Sequence, residues 1–128
     1  MKYLSQEYLD KQKELAQGMQ ERPQANISMN YVITGGPEGD VKYVQKWDKG
    51  HLVESKLGED PDAEVTMTVG YADSVAIAKG EVGAQQAFMT GKVRAAGNMA
   101  KLMSLMPLTT SPDYRKWEED TRALDIEY

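Results

Sequence analysis

Between Asn26 and Leu57 the chain alternates apolar and polar residues, and two glycine-containing turn clusters cut the alternation into three runs. Ile27, Met29, Tyr31 and Ile33 alternate with Ser28, Asn30, Val32 and Thr34, and Val41, Tyr43, Gln45 and Trp47 alternate with Lys42, Val44, Lys46 and Asp48. A period of two sends successive side chains to opposite faces, so each run is a strand with one buried face. Gly35-Gly36-Pro37-Glu38-Gly39-Asp40 and Asp48-Lys49-Gly50 turn the chain back, which predicts three antiparallel strands in succession, the third from His51 to Leu57. The glycines do not form a phosphate cradle, because that needs a lysine and a Ser/Thr opening a helix, and here a strand follows.

The rest of the chain supplies the cover. Residues 5 to 19 repeat Leu4, Tyr8, Leu9, Leu15, Ala16 and Met19 at helical spacing behind a capping Ser5. After a charged loop from Gly58 to Glu64, Val65 to Val69 forms a fourth strand. A short helix then opens at Gly70 or Tyr71, with Asp73 in its first turn, where the helix dipole favours negative charge, and Gly80 closing it. A second helix runs from Glu81 to Thr90, and Lys92 to Ala96 is a fifth strand. Asn98 caps an apolar helix carrying Met99, Leu102, Met103 and Met106 on one face, and a helix that apolar has to be covered. Ser111-Pro112 starts the last helix, whose Tyr114, Trp117, Thr121 and Leu124 form a stripe that serves as a lid or as an outer packing layer.

A chain of 128 residues with this composition is expected to be one domain, 1–128. Cysteine is absent, which removes disulfides, thiolate catalysis and thiolate metal sites. The formal net charge of −5 argues against nucleic acid as a partner. No apolar run approaches the roughly 18 residues a membrane-spanning helix needs. The start has no apolar core of a signal peptide, and Asp-Ile-Glu-Tyr at the end is not a Ser-Lys-Leu type of address. The expected location is therefore the cytoplasm, with at most transient membrane contact.

Catalytic constellations are hard to assemble. The single histidine, His51, stands at the start of a strand, and no serine sits in a nucleophile-elbow pattern. Glu59-Asp60-Pro61-Asp62 lacks the twelve-residue calcium-loop pattern, and Glu118-Glu119-Asp120 fans out at helical steps, so neither reads as a metal site. No enzyme chemistry, metal or cofactor is expected.

The stretch from Lys79 to Leu108 carries four of the eight methionines, Met89, Met99, Met103 and Met106. Methionine is flexible and polarizable, so the cluster suits either an ordinary core or a wall that closes around a variable apolar guest. Gly80, then Ala87-Phe88-Met89-Thr90-Gly91-Lys92, a strand, and Gly97-Asn98 opening a Met/Leu-rich helix resemble the signature of the sterol carrier protein type-2 family. The Asp60-Pro61-Asp62 loop leading into Val65, Met67 and Val69 is similar to the same pattern, and the resemblance runs from about Tyr31 to Leu108.

The resemblance implies an α/β fold: a five-stranded, mainly antiparallel sheet with helices covering one face and an apolar tunnel between them for a fatty acid, fatty acyl-CoA or sterol-like ligand. Phe88 and Met89 correspond to the family motif. The facing argument adds Tyr43, Trp47, Val75, Val93, Met99, Leu102, Met103 and Met106 as expected tunnel residues, with a head group near Gln85 or Gln86. The expected function is non-catalytic lipid binding and transfer, with an apolar small molecule as partner. The rivals are an accessory module presenting a lipid to a partner enzyme, and an enzyme acting on a bound acyl or steroid substrate.

Overall fold

A computed structural model describes all residues, 1–128. Five strands, β1 (Ile27–Gly36), β2 (Gly39–Asp48), β3 (His51–Leu57), β4 (Val65–Gly70) and β5 (Val93–Gly97), form one sheet in the order β3-β2-β1-β4-β5. The expected meander of β1, β2 and β3 is present, and β5 runs antiparallel to β4. Only the β1–β4 pair is parallel, because the 58–64 loop carries the chain from the end of β3 back across the sheet, held at Asn30, to start β4 beside β1 in the same direction.

The registers place Ile27 opposite Trp47, Met29 opposite Gln45 and Tyr31 opposite Tyr43; on the other side of β1, Tyr31 faces Met67 and Ile33 faces Val69. One sheet face is thereby apolar and aromatic. On the opposite face Asn30 clamps the 58–64 loop, donating to the Asp60 carbonyl at 2.8 Å and accepting from the Asp60 amide at 2.9 Å.

Six helices complete the fold: α1 (Gln6–Leu15), α2 (Tyr71–Ala78), α3 (Ala84–Met89), α4 (Met99–Met103), α5 (Met106–Thr109) and α6 (Pro112–Arg122). Ser5, Asn98 and Ser111 cap α1, α4 and α6 by accepting from the amides of Tyr8, Lys101 and Tyr114, as their positions predict. The methionine-rich stretch expected as a single helix is broken into α4 and α5. Pro107 lacks an amide proton and its ring collides with the carbonyl four residues back, so a helix from Asn98 cannot continue through it.

The core divides in two. One cluster joins Ile27, Met29, Trp47, Leu52 and Val65 of the sheet to Ala16, Met19, Leu105, Leu108 and Trp117. The other joins Ile33 and Val69 to Tyr3, Leu4, Tyr8 and Leu9, with Val75, Ala78 and Val93 packed around it.

Candidate functional site

A cavity of about 180 Å³ lies at the seam between these two clusters. Its floor is the apolar sheet face, with Tyr31, Ile33, Tyr43, Gln45, Met67, Val69 and Val93. Its walls are Tyr3 and Tyr8 at the N-terminal end, Ser74, Ile77 and Ala78 of α2, and Tyr114, Trp117 and Thr121 of α6. Gln12, half-buried Glu118 and exposed Arg122 add to Gln45, Ser74 and Thr121 as the polar part of the lining.

The wall residues are held by contacts that follow from local sequence. On α6 the expected stripe turns inward, and Trp117 packs edge-on against Trp47 at 5.6 Å and against Tyr114 at 5.2 Å. The Trp117 Nε1 donates to the Gln12 carbonyl at 2.8 Å, tying α6 to α1. The start of α6 is fixed by Asp113, which accepts from both terminal nitrogens of Arg22 at 2.8 and 3.0 Å and from the Gln20 amide at 2.9 Å. Arg22 beside it holds the Asp113 carboxyl well below the usual carboxylate range. Tyr3 is positioned by the terminal segments, where its amide donates to the Glu127 carbonyl and the Glu127 amide donates to the Met1 carbonyl.

At the rim, Arg122 lies over Gly80. Its Nε donates to the Ala78 carbonyl at 3.2 Å, and a Cβ on Gly80 would stand 2.9 Å from that nitrogen. Gly80 therefore has two reasons to be glycine, since its φ of +78° also lies in the left-handed region. Burial pushes the carboxyl of Glu118 above its ordinary value, against the opposing pull of Arg122 and Arg115.

Five of the seven tyrosines line the cavity. The rings of Tyr31 and Tyr43 stack at 4.7 Å, 3° from parallel. The Tyr3 hydroxyl donates to the Ser74 carbonyl at 3.2 Å, and the Tyr8 hydroxyl accepts from Gln12 at 3.1 Å. The Tyr31 hydroxyl meets only the Met29 sulfur, at 3.7 Å. Burial pushes Tyr3 and Tyr31 up to about 12 and Tyr8, Tyr43 and Tyr114 further, so all five stay neutral O–H donors at physiological pH.

Of the residues expected to form a tunnel, Tyr43 and Val93 line the cavity. Trp47 is buried in the aromatic cluster with Tyr114 and Trp117, Val75 packs against the second core, and Leu102 against the first. Met106 is half-buried in α5. Phe88, Met89, Met99 and Met103 stand at the surface, with Met89 78% and Met103 63% exposed. Gln85 and Gln86 are exposed on α3 and do not line the cavity.

The wall residues Tyr3, Tyr8, Gln12, Ser74, Glu118 and Arg122 were not foreseeable as a group, because the two chain ends that bring them together meet only in three dimensions. The available signal was the tyrosine bias, seven against a single phenylalanine.

Residues 30–110 match the SCP-2 sterol transfer family. The chain belongs to this family. The match coincides with the span over which the sequence resemblance runs. Among curated proteins the family member sterol carrier protein 2 of Rattus norvegicus is 34% identical over 82 residues, which is 64% of this chain. The chain spans about 14% of that relative's length.

Solved structures agree on the fold. The crystal structure of sterol carrier protein 2 superimposes with a TM-score of 0.73 at 14% identity, covering 95% of this chain and 98% of that one. The solution structure of palmitated SCP2L2 from Aedes aegypti gives 0.62 at 17% identity, covering 82% and 90%. A protein of Thermus thermophilus described as possibly a sterol carrier protein gives 0.60 at 16%, covering 93% and 84%. No helix of the chain is long and apolar enough to cross a membrane.

Proposed function

We propose that the chain binds a lipid in the cavity at the core seam and transfers it without bond chemistry. The observation that carries this reading is the split core: apolar and aromatic side chains from both clusters surround open space instead of interlocking. A concave space of this volume with a mostly apolar and aromatic lining is the kind of site that takes a small apolar ligand. The family's name and the palmitated form of its Aedes aegypti relative support a lipid occupant.

The size of the space favours a slender chain over a rigid ring system. A cavity of about 150 Å³ accommodates benzene, so 180 Å³ takes roughly six to eight carbons as it stands. A fatty acyl tail fills this and continues past Met67 and Val93 towards α3 and α4. There Phe88, Met89, Met99, Leu102, Met103 and Met106 offer a pliable cover, completing with Tyr43, Trp47 and Val75 the wall expected from the sequence. Arg122 is the anchor for an anionic head group: its Nε is engaged by Ala78, and neither terminal nitrogen has a hydrogen-bond partner.

Exchange follows from the energetics. A sixteen-carbon chain gains on the order of 10 kcal/mol on leaving water, at roughly 0.8 per methylene, yet almost nothing on leaving a bilayer for this cavity. Reversible loading from a membrane is the result. The stretch 82–112 holds no acidic residue and three basic ones, Lys92, Arg94 and Lys101, in a chain that carries 20 acids. That charge segregation, together with the exposed methionines, suits transient contact with an anionic bilayer during exchange.

The test is organic-solvent extraction of the purified protein followed by mass spectrometry, with titration of a fluorescent fatty acid. A lipid recovered near stoichiometry and saturable binding support the reading. A flat titration with nothing extracted refutes it.

A further inference from the structure

The polar chemistry of the cavity wall goes further than a hydrocarbon tail requires. Tyr43 and Tyr114 line the space, and no protein group forms a hydrogen bond with either hydroxyl. Both residues line the cavity and neither hydroxyl is among the fully buried, unpartnered polar atoms, so each oxygen keeps accessible surface. The Tyr8 hydroxyl is used as an acceptor by Gln12 and its own proton is unassigned, while that of Tyr31 meets only a thioether. Gln45, 5% exposed on the cavity floor, also makes no side-chain hydrogen bond.

Four phenolic donors without an oxygen or nitrogen acceptor thus converge on one small space. Burying a donor without a partner costs on the order of 1–3 kcal/mol, and phenylalanine fills the same volume without that cost. The single phenylalanine of the chain, Phe88, is instead 45% exposed and outside the cavity. A wall selected only for alkyl chains has no use for this distribution.

We propose that the cavity selects an oxygenated lipid, one whose carbonyl or hydroxyl oxygen lies within the apolar body and accepts hydrogen bonds from Tyr43 and Tyr114. Tyr31, stacked on Tyr43, is a third phenol on the same floor of the cavity. The inference rests on the lipid-binding reading above and adds the chemical class of the lipid. A site built to hydrogen-bond one oxygen discriminates far more strongly against an analogue lacking it than an apolar wall discriminates by chain length.

The experiment compares hexadecanoic acid with a set of oxo-hexadecanoic acids carrying a ketone at successive mid-chain positions, by displacement of a fluorescent fatty acid. At least one ketone isomer binds about tenfold tighter than the parent acid. In Tyr43→Phe and Tyr114→Phe that preference falls to near unity.

Thermal unfolding of the same variants without ligand is the second readout. Removing a hydroxyl that no protein group hydrogen-bonds leaves Tm unchanged or raised, so a lowered Tm shows that the phenol is already satisfied within the protein and overturns the proposal. Equal affinity for every isomer, or a preference that survives both phenylalanine variants, overturns it while leaving the carrier reading intact. Failure of all probes to bind overturns both.

Discussion

Ala78 offers the sharpest test of whether the seam between the cores is open. It lines the cavity from the last turn of α2, a helical position where leucine is nearly as well tolerated as alanine. Ala78→Leu adds three carbons. If they enter the 180 Å³ void, burial at about 0.8 kcal/mol each gives about 2.4 kcal/mol, and ordering the new side chain takes back about 0.5–1. The net is about 1.5–2 kcal/mol of added stability, or a Tm raised by about 5 °C for a chain of this length.

The same three carbons occupy a large part of the space a lipid needs, so affinity for a fluorescent fatty acid falls at least tenfold. The pairing of signs is the point. In a closed core the extra carbons overpack and cost about 1–3 kcal/mol. Differential scanning calorimetry and ligand titration on one preparation decide it: a Tm lowered by several degrees, with lipid binding unchanged, refutes the claim that this space is both empty and the binding site.

Gly80→Ala loses about 1–2 kcal/mol in urea unfolding, because the methyl group forces a left-handed residue and meets the Arg122 guanidinium. It also weakens binding of anionic lipids more than of neutral ones. Asp113→Asn costs about 1–2 kcal/mol at pH 7, since its partner Arg22 is only partly screened from solvent. The folded Asp113 carboxyl titrates below its unfolded value, so its stabilisation is full above about pH 4 and is lost as pH falls through the folded value. Wild type and Asp113→Asn therefore converge in Tm towards strong acid, and parallel curves would contradict the assignment. Glu118 is the opposite case: its folded carboxyl titrates above the unfolded one, so it destabilises once ionised. Glu118→Gln is more stable than wild type at pH 7, and a pH-scanned melt shows the advantage vanishing below about pH 4.

The sheet was legible in the sequence because a period of two has one interpretation when glycine turns bound it, and β1 to β3 appear where Ile27 to Leu57 place them. The caps Ser5, Asn98 and Ser111 were equally readable, each short polar side chain standing just ahead of an apolar-periodic run. The helical facing of Met99, Leu102, Met103 and Met106 was less informative, since Pro107 breaks the helix and a facing argument holds only within one continuous element. The walls of the site depend on Tyr3 meeting Tyr71 and Tyr128, and on Arg122 crossing to Gly80. Those contacts join residues scores of positions apart, and no local pattern encodes them.

The two clusters also hold the walls of the space apart. Each is anchored separately, the first by Trp117 donating to Gln12 and by the Arg22–Asp113 pair, the second by the paired terminal segments and by Tyr3 on Ser74. Closing the space would have to shift α6 against α1 or α2 against the N-terminal segment, breaking a buried or charge-assisted hydrogen bond in either case. Such a bond is worth about 0.5–3 kcal/mol, and collapse would also bury the free phenols of Tyr43 and Tyr114 against hydrocarbon. The polar groups that hold the helices apart and those that face the space thus act together: the first resist closure, and the second make closure unfavourable until a guest with an acceptor fills it.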